Sequence, residues 1–124
     1  MTTKFYKCRH CGNVVEKLVD SGVSVVCCGE QMQELIPNTV DASSEKHVPV
    51  VTDLGDGRIK VEVGSAPHPM LPEHHIVFIY VETECGGIRC NLKDKPEAVV
   101  CNCGKKVVAV YEYCNLHGLW KAKI

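Results

Sequence analysis

No run of apolar residues in this chain approaches the roughly 18 that a membrane-crossing helix needs. The opening MTTKFYKCRHC has neither an apolar h-region nor a small-residue cleavage site. No segment sustains a 3.6-residue apolar period, so amphipathic helices are not expected. Neither sign of charge dominates: 14 Lys and Arg face 15 Asp and Glu, a formal net charge of -1. Without a basic excess there is no electrostatic footprint for nucleic acid or for an anionic membrane, and neither is expected as a partner. Local lysine clusters at CGKK and WKAKI leave that balance unchanged.

Cysteine, by contrast, is abundant. Nine in 124 residues mean either a disulfide framework in a secreted protein or metal-thiolate sites in a reduced one. The lack of a leader favours the second and predicts a cytoplasmic location.

The length supports one good core and a small satellite. The satellite is expected at residues 1–36, whose large apolar side chains, valines apart, are only Phe5, Tyr6, Leu18, Met32, Leu35 and Ile36. So small a core needs a staple. The polar passage PNTVDASSE, residues 37–45, reads as a linker. From residue 46 to 124 short strands follow one another: VPVVT, RIKVEV with Ile59, Val61 and Val63 on one face, HIVFIYVETE, IRCNL, AVVC and KVVAVYEYC. DLGDGR, PHPMLP and CGG supply the turns between them. An all-β chain is expected, its larger part a small antiparallel β-sandwich of immunoglobulin-like topology, with closure into a barrel as the alternative.

Four of the cysteines form the pattern C-x2-C-x15-C-C: Cys8, Cys11, Cys27 and Cys28. CRHC followed by Gly12 reads as a knuckle on which two thiolates converge while backbone N–H groups face the sulfurs. Cys27 and Cys28 are adjacent and point apart on an extended backbone, so they share an ion only if a turn at Gly29 bends the chain. Four thiolates suit zinc and a mononuclear iron centre equally by count. His10 reads as a turn residue between ligands.

A second group is rich in histidine. EKHVP, PHPMLPEHH and EYCNLHGLW are loop-like passages holding five of the six histidines and Cys114. Metal ligands suit loops held by a rigid sheet. These passages, in this order behind a C-x2-C…C-C domain, closely resemble desulfoferrodoxin, the two-iron form of superoxide reductase.

The resemblance implies two irons per chain. One is a desulforedoxin-like tetrathiolate centre on Cys8, Cys11, Cys27 and Cys28. The other is a centre with four imidazoles from His47, His68, His74 and His117 and an axial thiolate from Cys114. It implies one-electron reduction of superoxide to hydrogen peroxide without release of oxygen, with re-reduction by a rubredoxin-like donor. Lys46 matches the family's motif lysine, which attracts superoxide and orients the water that protonates the product. Glu45 matches the carboxylate that fills the vacant position in the oxidised state. Spacing between the motifs favours His74 over His75 as the ligand. A homodimer is expected from the thin core of residues 1–36 and from the family. Two other readings compete: a non-catalytic zinc- or iron-binding module, and a rubredoxin-like electron carrier.

Cys85, Cys90, Cys101 and Cys103 lie outside those motifs. Around a Gly86-Gly87 turn, Cys85 would face Ile88 and Cys90 would face Thr83, a diagonal pair unsuited to a relaxed disulfide. CNC places Cys101 and Cys103 on one face. All four are expected to serve as small apolar side chains, ahead of a third metal site or a redox-sensitive cluster.

Overall fold

The structure, a computed structural model, describes residues 3–39, 47–66 and 68–124. Contacts divide the chain into two compact units, Met1–Ile36 and Pro37–Ile124.

In the first unit, β1 (Phe5–Lys7) is flanked by β2 (Val14–Glu16) and β5 (Gln33–Glu34), and β3 (Val26–Cys27) pairs with β4 (Glu30–Gln31) in a separate hairpin. Among its described residues only Phe5, Cys8 and Met32 are buried hydrophobics. Leu18 and Val19 are 76% and 88% exposed, and Val23 and Val26 are exposed as well. Burial on this scale does not offset the ordering of more than thirty residues without a cross-link.

The second unit is an antiparallel sandwich. One sheet has the order β10-β7-β6, from β6 (Pro49–Asp53), β7 (Arg58–Val63) and β10 (Glu97–Cys101). The other is β12-β11-β8-β9, from β8 (Ile76–Thr83), β9 (Gly86–Asn91), β11 (Val107–Cys114) and β12 (Gly118–Lys123). The alternation in RIKVEV does what period two requires: Ile59, Val61 and Val63 are buried and face Ile76, Ile79, Val81, Val110 and Cys114 of the second sheet. On the other face of β8 and β11, Phe78 stacks on Tyr113 and Tyr80 meets Tyr111 edge to face. Asn38 docks on β12, accepting from the Lys121 N–H and donating through Nδ2 to the Lys121 carbonyl.

The β8–β9 turn differs from the sequence expectation. Thr83 pairs with Gly86 and Val81 with Ile88, so the turn is Glu84-Cys85 and the two glycines lie inside β9. Gly87 is needed there because a Cβ would stand 1.8 Å from the Tyr80 hydroxyl. Cys90 consequently faces Ile79 instead of Thr83.

Candidate metal centres

Strand direction brings three loops to one end of the sandwich. His47 precedes β6, His68 and His74 lie between β7 and β8, Cys114 ends β11, and His117 sits in the turn to β12. Their donor atoms lie within 4.8 Å of one another. The four rings form a square in the cyclic order His47, His68, His74, His117. Successive centroids are 4.8, 4.7, 5.1 and 4.9 Å apart, and each ring stands nearly perpendicular to the next.

His47 Nε2 is 3.1 Å from both His68 Nε2 and His117 Nδ1. Two nitrogens bound at right angles to one ion at about 2.1 Å stand about 3 Å apart, so the spacing is that of ligands on adjacent sites. Cys114 Sγ comes from the core side, 3.6 Å from His68 Nε2 and 4.0 Å from His117 Nδ1.

Donors on His68 are sorted by the backbone. Its Nδ1–H donates to the Pro69 carbonyl at 2.8 Å, which leaves Nε2 as the lone-pair nitrogen facing the centre. Burial pushes the His68 imidazolium down to about 4, so the ring is neutral at physiological pH, as a ligand must be. His74 Nε2 is buried with no hydrogen-bond partner. Burial raises the Cys114 thiol, opposed by backbone N–H groups of His117 and Leu116. A buried orphan nitrogen, a square of imidazoles in which burial keeps His68 neutral, and a desolvated thiol pointing at one spot all fit a divalent metal and are costly without one.

His75 is outside this cluster: its ring Nδ1 meets the Leu71 carbonyl at 2.9 Å. A short bridge between Leu71 and His74 shapes the loop that separates the two histidines. Lys46 and Glu45 lie outside the described residues.

Two supporting residues carry no metal-binding signature in the sequence. Asn115 Oδ1 accepts from the His75 N–H at 2.9 Å and Nδ2 donates to the Glu73 carbonyl at 3.1 Å, tying the loop that bears His74 to the loop that bears His117. Trp120 stacks on His47 and donates its indole N–H to the His117 carbonyl. A polar residue between two ligands in CNLHG was the only hint of the first.

The second cluster is Cys8, Cys11, Cys27 and Cys28, again within 4.8 Å. The knuckle is closed by Gly12 N–H donating to the Cys8 carbonyl and Cys8 N–H to the Asn13 carbonyl. Cys28 itself adopts φ 53° and Gly29 φ 74°. The bend thus begins one residue before Gly29, with two left-handed residues turning β3 into β4. The Cys11 N–H facing its sulfur is the largest influence holding the Cys8 thiol down, to about 6. The sulfurs of Cys11, Cys8 and Cys27 push Cys28 up to about 12. One thiolate is favoured and the last strongly opposed, a conflict that a cation removes. His10 is a turn residue that meets Glu30, as does Arg9.

An all-β chain with a four-thiolate knuckle domain and a sandwich capped by a four-imidazole, one-thiolate cluster defines a two-centre non-haem metalloprotein. Comparison with known proteins agrees at both ends. The desulfoferrodoxin family model matches residues 39–123, and that of the desulfoferrodoxin N-terminal domain matches residues 1–35. This chain belongs to the desulfoferrodoxin family.

Desulfoferrodoxin of Nitratidesulfovibrio vulgaris is 48% identical over 122 residues, covering 97% of this chain and 95% of that protein. Superoxide reductase of Pyrococcus abyssi is 36% identical over 103 residues, covering 68% of this chain and 90% of its own. The crystal structure of superoxide reductase from Treponema pallidum superposes with a TM-score of 0.82 at 35% identity, covering 99% of this chain and all of that one.

Proposed function

We propose that this protein is a superoxide reductase with two iron centres. The observation that carries the reading is the square of His47, His68, His74 and His117 with Cys114 on its core side. Five donors so arranged leave the side opposite the thiolate for a small anion. Iron held by these residues would supply the one-electron chemistry by which superoxide, with two protons, becomes hydrogen peroxide without release of oxygen.

The residues prepare that chemistry in three ways. Neutral imidazoles leave the cationic charge of the centre undiminished toward an anion. Cys114, shielded from water in the core, would hold the iron as a thiolate and lend it electron density, as thiolate ligands do in haem proteins. Lys46, adjacent to His47 in sequence, attracts superoxide and orients the water that protonates the product. Glu45, two residues before His47 in sequence, would supply its carboxylate to the oxidised centre. Cys8, Cys11, Cys27 and Cys28 hold the second iron and staple the first unit.

No helix among the described residues is long and apolar enough to cross a membrane. A reducing cytoplasm keeps the ligand thiols available. A rubredoxin-like protein delivers electrons one at a time. Pairing of two copies through the first unit would cover Leu18, Val19, Val23 and Val26, which favours a homodimer.

Two measurements test the reading. Anaerobically purified protein is expected to hold about two irons per chain by elemental analysis, and pulse radiolysis to show superoxide consumed without oxygen evolution. Zinc alone, even after reconstitution with ferrous iron, would overturn it. Lys46→Ala should slow the bimolecular step about tenfold or more and flatten its salt dependence; an unchanged rate and slope would remove the steering role.

A further inference from the structure

Cys85, Cys90, Cys101 and Cys103 take no part in either metal cluster. Only Cys90 behaves as the small apolar side chain expected of all four, packing against the core. Cys85, Cys101 and Cys103 are exposed. Two of these are held together: Cys101 ends β10, Cys103 lies in the turn to β11, and their sulfurs are 3.1 Å apart.

The backbone produces that contact. In an extended strand, residues two apart share a face but stand about 6.6 Å from each other. Cys103 instead adopts φ 52°, a left-handed conformation that is disfavoured for a side chain with a Cβ, and Gly104 continues it at φ 72°. The Gly57 carbonyl in the β6–β7 turn accepts both the Asn102 N–H at 3.0 Å and the Cys103 N–H at 3.2 Å. Asn102 closes the turn on itself, its carbonyl accepting from Lys105 N–H and its Nδ2 donating to the Lys105 carbonyl. The thiols are therefore brought together before any bond forms between them.

Charge separates their roles. Cys101 pairs across the sheet with Arg58, whose guanidinium is stabilised chiefly by Asp56 and also by the Cys101 sulfur. The Cys103 thiol is pushed up, mainly by its hydrogen bond with Cys101, which favours its protonated form. Among the described residues no third histidine, cysteine or carboxylate closes around the pair, which argues for two-sulfur chemistry over a metal.

We propose that Cys101 and Cys103 form a dithiol that hydrogen peroxide oxidises to a disulfide, a redox site separate from both metal centres. The Cys101 thiolate attacks one peroxide oxygen and breaks the O–O bond, giving a sulfenic acid and hydroxide, which takes up a proton as water. The Cys103 sulfur then attacks the Cys101 sulfur. The S–S bond forms, hydroxide leaves, and with the Cys103 proton it becomes a second water. Two thiols lose two electrons, and one peroxide becomes two waters. A small-molecule thiol reverses the step by exchange, and a bridge spanning one residue is strained and readily reduced.

The supply of peroxide rests on the superoxide reductase reading; the oxidation of the pair by peroxide does not. Cys101 sits at the Arg58 end of β7, whereas the opposite end, Val63, leads toward His68. The dithiol is thus at the far pole of the sandwich, and peroxide reaches it through solvent.

The test adds one equivalent of reagent hydrogen peroxide to the oxidised holoenzyme, followed by alkylation and peptide mass mapping, with exposed Cys85 as internal reference. The peptide holding Cys101 and Cys103 is expected to lose both alkylation sites roughly tenfold faster than Cys85, and dithiothreitol to restore them. Cys103→Ser should instead accumulate a dimedone-trappable sulfenic acid on Cys101. Equal rates for the pair and Cys85, or oxidation beyond sulfenic acid without a disulfide, would overturn the proposal. The double variant Cys101→Ser, Cys103→Ser keeps its superoxide rate, so failure of the dithiol and failure of the reductase reading appear in different assays.

Discussion

Trp120 lies flat against His47, ring centroids 4.9 Å apart and planes 20° from parallel. The same indole donates to the His117 carbonyl at 3.0 Å. One side chain on β12 thereby fixes the plane of one imidazole and the loop of another. Outer partners of this kind orient ligands and tune the affinity of the site.

Trp120→Phe keeps a flat ring against His47 but removes the indole donor and leaves the His117 carbonyl without it. About 1 kcal/mol of stability should be lost, and iron should leave the histidine centre about tenfold faster in a chelator challenge, while the tetrathiolate centre is unaffected. Equal loss from both centres would point to general unfolding instead.

Asn115→Ala should cost more. Two hydrogen bonds are lost, and the backbone groups of Glu73 and His75 that they satisfied must find water. The expected penalty is about 2 kcal/mol in denaturant unfolding, with a raised exchange rate at the His75 amide. Asn115→Asp should retain the acceptor to His75 and recover about half of the loss.

These two residues also show where sequence reading stops. The nine cysteines and histidines in the clusters stood out by type and spacing, and Ile59, Val61 and Val63 stood out by alternation. β12 did not: its GLWKAK places Leu119 and Trp120 in succession, both buried, so no period of two is visible. Its strand character comes from six paired positions along β11. The roles of Asn115 and Trp120 likewise depend on which loops the sheet brings together, a tertiary property with no local signature. The left-handed Cys28 and Cys103 were equally invisible, since only a docked turn makes such a conformation tolerable.

Removing the tetrathiolate metal should melt the first unit alone. Phe5, Cys8 and Met32 are the only buried hydrophobics among its described residues, so β1 to β5 have little else to hold them. Cys8→Ser should abolish amide protection in residues 4–36 and leave the β7, β8 and β11 core protected, read by hydrogen exchange. Persistent protection around Phe5 in that variant would show that the sheet stands without its staple.

Glu112 was hidden for a related reason. β11 is covered on both faces, and Glu112 is fully buried, flanked across the sheet by Ile79 and Trp120. Neither carboxyl oxygen has a hydrogen-bond partner, and burial pushes the group up to about 9. It is therefore neutral at pH 7 and adds no negative charge near the Cys114 thiolate. The unfolded chain releases this proton near pH 4.3 and the folded chain holds it to about 9. The folded state thus binds more protons across that window, and stability falls as pH rises through it, by about 1 kcal/mol per pH unit. Glu112→Gln removes the ionisation while keeping the shape. Its unfolding free energy, followed from pH 5.5 to 8.5, should decline less steeply than that of the natural protein, so the variant gains relative stability toward the alkaline end. Parallel curves for the two proteins would mean that the carboxyl finds a partner or water on ionising, and that its burial does not govern the pH dependence of this fold.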